Sequence, residues 1–163
     1  MKLAPNFTLD ELVATNHRRF AQLNASEARH HETLQRLRRV AGDLLQPIRD
    51  HFGAPVIVNS GYRCRPLNLA IGGSLNSQHC KGEAADFYVL GVDLVDVFEW
   101  VWRESQICFG QLILEGHQRG RPTWIHISLG APYREVVKSG HVLRYDAGAW
   151  STLARGVRVE EEG

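Results

Sequence analysis

His79 to Asp86 reads His-Cys-Lys-Gly-Glu-Ala-Ala-Asp, with Ser77 two residues ahead of it. Well beyond it stands a second histidine, His126, inside Trp124-Ile125-His126-Ile127-Ser128. Imidazole nitrogen and carboxylate oxygen both suit zinc, so His79, Asp86 and His126 are candidate ligands for one Zn2+ ion. Three protein ligands leave a fourth position open, the arrangement of catalytic rather than structural zinc. A water in that position would be acidified toward neutral pH and could attack a carbonyl polarised by the same ion.

A hydrolase also needs a base that takes the water's proton and returns it to the leaving amine. Glu115 is the candidate catalytic residue, and Glu83, inside the first motif, is its competitor. Arg63 follows an expected strand, where a guanidinium could grip a substrate carboxylate with two parallel bonds. Ser77 could donate to a substrate or orient a ligand. Trp124 could serve as a substrate platform, although a tryptophan alone is more often core. Taken singly, every one of these residues has an ordinary structural reading. Only their combination carries chemistry.

Positioning those groups falls to a mixture of helices and strands. The gap from His79 to Asp86 does not suit one helix face. It suits a loop residue and a strand residue across a tight turn, with Gly82 turning the backbone and Ala84 and Ala85 leaving room. Ala84 to Val89 reads as the strand bearing Asp86, and Pro55 to Asn59 as a short β-branched strand. Gln111-Leu112-Ile113-Leu114-Glu115 and the His126 segment read as two strands of a hairpin through Gly116 to Pro122. Alternation puts Gln111, Ile113 and Glu115 on one face, and Trp124, His126 and Ser128 on one face. If these are the same side, Glu115 and His126 share a cleft.

Helices are expected elsewhere. Thr8 and Glu11 have capping-box spacing, predicting a helix to about Thr15. Asn24 and Glu27 repeat that spacing and predict the start of a longer helix. In it Leu34, Leu37, Val40, Ala41, Leu44, Leu45 and Ile48 form an apolar stripe. Pro47 should kink this helix and Gly53 should stop it. Pro66 to Ile71 predicts a short helix, and Gly72-Gly73-Ser74 the start of a long loop. Asp93 should cap a helix through about Glu104, with Leu94, Val97, Phe98 and Val101 inward. Beyond Ser128 the pattern weakens to one last strand over Val142 to Tyr145 and a frayed charged tail over Glu160 to Gly163.

Bulk properties exclude several classes. The chain has 163 residues, 44% apolar and 23% charged, which fits one soluble domain. Its 19 basic and 18 acidic residues leave a formal charge of +1, so nothing points to nucleic acid as partner. The arginines between Arg29 and Arg49 are interspersed with Glu32, Asp43 and Asp50, a solvated helix face. No stretch approaches the roughly 20 apolar residues of a membrane span, so no stable membrane insertion is expected. No signal peptide is read at Met1 to Asn6, where Pro5 and Asn6 precede any apolar run. Three cysteines without a Cys-x-x-Cys spacing argue against a disulfide framework and fit reduced, cytoplasmic synthesis.

Ser77-x-His79-x-x-Gly82-x-Ala84-x-Asp86 followed by Trp124-x-His126 resembles the zinc D-alanyl-D-alanine carboxypeptidases and related phage peptidoglycan endopeptidases. Ser60-Gly61-Tyr62-Arg63, Asn76-Ser77-Gln78-His79 and Gln111 to Glu115 bring it closer to the carboxypeptidase-like branch. The resemblance spans roughly Phe7 to Ser128. It implies an α+β fold of the hedgehog/D-Ala-D-Ala peptidase type, a small antiparallel sheet holding the zinc and helices flanking it. It implies zinc ligands at His79, Asp86 and His126, a substrate contact at Arg63, and hydrolysis of peptidoglycan stem peptides. Many relatives carry the catalytic glutamate three residues before the last histidine ligand. Here that position is Thr123, which cannot serve as a base, so Glu115 must fill the role or catalysis is impaired.

The expectation is a single domain over residues 1–163, with its motif-bearing core over 7–128 and a C-terminal extension over 129–163. The expected protein is a monomeric zinc peptidase of phage or prophage endolysin type. It would be made in the cytoplasm and act on the wall after holin-type release. The alternative is a non-catalytic wall-binding or phage structural module.

Overall fold

Thr8 and Glu11 form the expected capping box in the computed structural model, which describes residues 1–116, 122–130, 134–138, 141–146 and 149–153. The Glu11 amide donates to Thr8 Oγ1 at 3.4 Å, and the Thr8 amide donates to Glu11 Oε2 at 2.7 Å. Ahead of this cap, β1 (Lys2–Ala4) and β2 (Phe7–Thr8) pair antiparallel. After it, α1 (Leu9–Val13) buries Leu9, Leu12 and Val13. The first helix is therefore shorter than expected.

The second cap reading is corrected. Asn24 lies inside α2 (Arg18–Glu27) and is fully buried. Its Nδ2 donates to the Val13 and Tyr62 carbonyls at 2.8 and 3.0 Å, and its Oδ1 accepts from the Cys64 amide at 2.7 Å. A buried amide that satisfies three main-chain groups ties α1 and α2 to the turn bearing Arg63.

The long apolar stripe falls on α3 (His31–Arg39), a π-helical segment (Val40–Leu45) and α4 (Gln46–Phe52). Leu37, Val40, Ala41, Leu44, Leu45 and Ile48 are fully buried, with Leu34 packed at the margin. Proline lacks an N–H and crowds the preceding turn of a regular α-helix. Here the widened π turn comes just before Pro47, which sits in the first turn of α4. Gly53 ends the run as expected.

Among the described residues seven strands form the main sheet: β3 (Val56–Ser60), β4 (Ala84–Val89), β5 (Phe109–Glu115), β6 (Trp124–Leu129), β7 (Arg134–Lys138), β8 (His141–Asp146) and β9 (Ala149–Leu153). Their order is β3-β4-β6-β5-β7-β8-β9, antiparallel except for the parallel pair β5–β7. The described part of the C-terminal region thus continues the sheet with three strands, in place of the single one expected over Val142 to Tyr145. The hairpin connection over residues 117–121 and the tail over Glu160 to Gly163 lie outside the described residues.

Register separates the two faces of the sheet. Ala85 and Leu112 both pair with Ile127, and Phe87 and Leu114 both pair with Ile125. All six are buried in the apolar core under the π-helical segment and α7 (Leu94–Arg103). Asp93 caps α7 as expected, accepting from the Val95 amide at 2.7 Å. The alternate row Asp86–His126–Ile113 turns to the opposite face. There the one-turn α6 (Gln78–Lys81), which follows α5 (Arg65–Ala70) in the chain, borders it. Asp86 and His126 pair directly, Ile113 faces His126, and Glu115 faces Trp124.

Candidate metal centre

His79 does not sit in a loop, as the spacing predicts, but on α6. Gly82 ends that turn with φ 73°, in the left-handed region where side chains are strained. A Cβ there would also press on Thr33, 3.1 Å from its Cγ2. The chain then enters β4, carrying Asp86 to the same place. Of the two alanines expected to make room, Ala84 shares the face of Asp86, whereas Ala85 packs in the core behind it.

His79, Asp86 and His126 are all buried, and one ligand atom from each lies within 4.8 Å of the others. Asp86 Oδ1 is the shared centre, 3.3 Å from His79 Nε2 and 2.8 Å from His126 Nδ1. Burial would push the Asp86 carboxyl up. Hydrogen bonds and charge from His126 and His79 outweigh it and hold the group well below the usual carboxylate range. It is an anion at neutral pH, as a metal ligand must be.

The imidazoles offer opposite nitrogens. His79 Nδ1 donates to the Gly61 carbonyl at 2.7 Å, leaving Nε2 toward Asp86. His126 turns Nδ1 to Asp86, while its Nε2 lies 3.0 Å from Gln78 Oε1. His126 therefore meets an oxygen at each ring nitrogen, and a neutral imidazole has a single N–H to give. A cation at Nδ1 and Asp86 Oδ1, whether a proton or a metal ion, completes the arrangement. Two imidazoles and a carboxylate, each braced by an outer partner, fit zinc.

Arg63 is drawn into this bracing. Its Nη2 donates to Asp86 Oδ2 at 2.8 Å and its Nε to Ser60 Oγ at 2.8 Å. The edge expected to make a two-bond grip on a substrate is spent on Asp86 and Ser60, which leaves Nη1 as the donor for a substrate group. The Arg63 amide also donates to the His79 carbonyl at 3.2 Å, coupling the arginine turn to α6.

Around the three ligands opens a cleft of about 500 Å3, whose lining includes Arg63, Ser77, Gln78, Gln111, Ile113 and Glu115. Glu115 and His126 do project into one cleft. Trp124 does not line it, and its indole donates to Glu115 Oε2 at 3.3 Å instead. Ser77 lines the cleft and precedes α6, its carbonyl accepting from the Cys80 amide at 3.1 Å. Glu83 pairs with Arg36 at 3.4 Å and is not part of the lining. Thr123 donates its hydroxyl to the Gly116 carbonyl, closing the strand ends beside Glu115. Cys80 lines a smaller cavity with Arg65, Leu69 and Leu75, and burial pushes its thiol up.

Gln78 falls inside the Asn76-Ser77-Gln78-His79 motif, but the sequence reading gives it no role in the site. Its Oε1 meets His126, and its Nε2 donates to Ser128 Oγ at 3.1 Å. Its place next to His79 is the only local signal, because its partners lie on β6.

A family model described as Peptidase M15 matches residues 5–128. No curated protein matches the chain.

Proposed function

The chain belongs to the peptidase M15 family of zinc-dependent metallopeptidases, and we propose that it hydrolyses peptide bonds in peptidoglycan stem peptides. The observation that carries this reading is the convergence of His79 Nε2, Asp86 Oδ1 and His126 Nδ1 at the floor of an open polar cleft. Zinc bound there would supply a Lewis acid for the scissile carbonyl and an acidified water.

The chain's own residues would do the rest. Glu115 stands one alternate position beyond Ile113, on the face of His126, and lines the cleft. In our reading it accepts the nucleophile's proton and delivers it to the leaving amine. The Trp124 indole, bound to Oε2, restrains that carboxylate. Arg63 Nη1, Ser77 and Gln111 are the donors we assign to substrate carbonyl or carboxylate groups. The setting that goes with this chemistry is a monomeric endolysin of phage or prophage origin, reaching the wall after holin-type release.

Zinc-loaded protein added to purified peptidoglycan should expose new amino groups, and mass spectrometry of the soluble fragments should identify the bond cut. Chelation should stop the release and added zinc should restore it. Chloroform-permeabilised Gram-negative cells should lyse under the same conditions. Stoichiometric zinc binding with intact cells and no new amino groups would overturn the proposal in favour of a non-catalytic module.

A further inference from the structure

We propose that Gln78 is a positioning residue that fixes which nitrogen of His126 is free for the metal; the inference rests on the zinc reading above. A neutral imidazole can carry its proton on either nitrogen, and the partner of the other nitrogen decides which. For His79 that partner is a main-chain carbonyl, which can only accept. For His126 it is a side-chain amide, which could present either oxygen or NH2. Something must orient the amide.

Ser128 does so. Its Oγ accepts from the Gln111 amide at 2.9 Å and lies 3.5 Å from the Leu129 carbonyl, toward which its own proton can turn. Ser128 is fully buried, so that main-chain pairing is sheltered from water. With its proton turned to Leu129, Ser128 offers Gln78 only a lone pair, so Gln78 must donate its NH2 to Ser128. The amide oxygen then faces His126 Nε2 at 3.0 Å and takes its proton. Nδ1 is left with the lone pair, directed at the point it shares with Asp86 Oδ1. A relay from the β5 backbone through Ser128 and Gln78 thus sets a ligand tautomer on the neighbouring strand.

Two variants test this. Gln78→Met keeps the length and removes the acceptor. Gln78→Glu keeps an acceptor for His126. Zinc affinity, read by competition with a chromophoric chelator, should fall about 10- to 100-fold in Gln78→Met and recover most of that in Gln78→Glu. In 15N NMR of the zinc-loaded wild type, His126 should carry its proton on Nε2 with zinc on Nδ1. In Gln78→Met that Nε2 proton should exchange faster with solvent. The urea midpoint of the metal-free protein should be alike in all three. Equal zinc affinity with unchanged His126 exchange in Gln78→Met would overturn the role of Gln78 while leaving the zinc site standing. Failure of the wild type to bind zinc through His79, Asp86 and His126 would overturn both.

Discussion

The two histidines of the centre are held by different means. His79 is held by main chain: α6 carries it, the Gly61 carbonyl takes its Nδ1 proton, and Gly82 turns the chain behind it. His126 is held by strand register and by side chains, with Asp86 on one nitrogen and Gln78 on the other. The main-chain half is inseparable from the fold. A Cβ at Gly61 would run into the Leu12 carbonyl, so the carbonyl that orients His79 belongs to a close crossing of two backbones. The side-chain half can be altered without disturbing the core. Damage to the first should therefore appear as lost stability, and damage to the second as lost metal affinity or turnover.

The largest effect should come from the side-chain half. Glu115→Gln keeps the shape and the Trp124 contact but cannot accept a proton. The proposed activity should fall by about 10²- to 10⁴-fold. Bound zinc, measured on the same sample, should stay at one equivalent. Unchanged turnover would mean that this half only holds the metal and that the base lies elsewhere.

Arg63→Met comes next. It leaves Asp86 Oδ2 without its charged partner in a buried position. Outer partners of this kind are worth about 10- to 100-fold in metal affinity. Zinc competition should show a drop in that range, with little change in the metal-free urea midpoint. A drop in the midpoint instead would place the Arg63 side chain with the fold-bound half, through its bonds to Ser60 and Asp86.

Gly82→Ala probes the main-chain half. A non-glycine residue in the left-handed region costs about 1–2 kcal/mol, and Thr33 would have to give way at 3.1 Å. The metal-free protein should lose about that much in urea unfolding. If zinc affinity dropped while the midpoint stayed fixed, the contrast between the halves would be wrong.

The same division explains how much of the site is legible in the sequence. Strand alternation has a period of two, so alternation alone places Gln111, Ile113 and Glu115 on one face and Trp124 and His126 on one face. The ligand types and the turn at Gly82 are equally legible. A four-residue helix has no periodicity, and α6 accordingly reads as loop. Asn24 and Glu27 have the spacing of a cap, but the same spacing occurs inside any helix. What decides is that Asn24 finds Val13, Tyr62 and Cys64, none of them local. The role of Gln78, which the sequence shows only as a member of the Asn76-Ser77-Gln78-His79 motif, is hidden for the same reason, since its partners His126 and Ser128 are brought to it by the sheet. The parallel pairing of β7 with β5 depends on a crossover that no local pattern encodes.

The smallest effect concerns Asp86 itself, because at neutral pH it produces no pH dependence. In the metal-free protein its carboxyl titrates well below the usual range, despite burial, because His126 and His79 favour the anion. The unfolded chain would titrate it near the ordinary value of about 3.9. Below that value unfolding takes up a proton that the native state refuses. Stability from Asp86 is therefore whole above about pH 4 and drains away as the pH falls toward the depressed folded value. Urea midpoints of the metal-free protein should decline with acid in that window, and more steeply than in Asp86→Asn, which has no proton to take up. Parallel declines would mean that other carboxylates dominate acid unfolding. The side-chain half would then be bound to the fold less tightly than its hydrogen bonds imply, which would make the contrast with His79 sharper still.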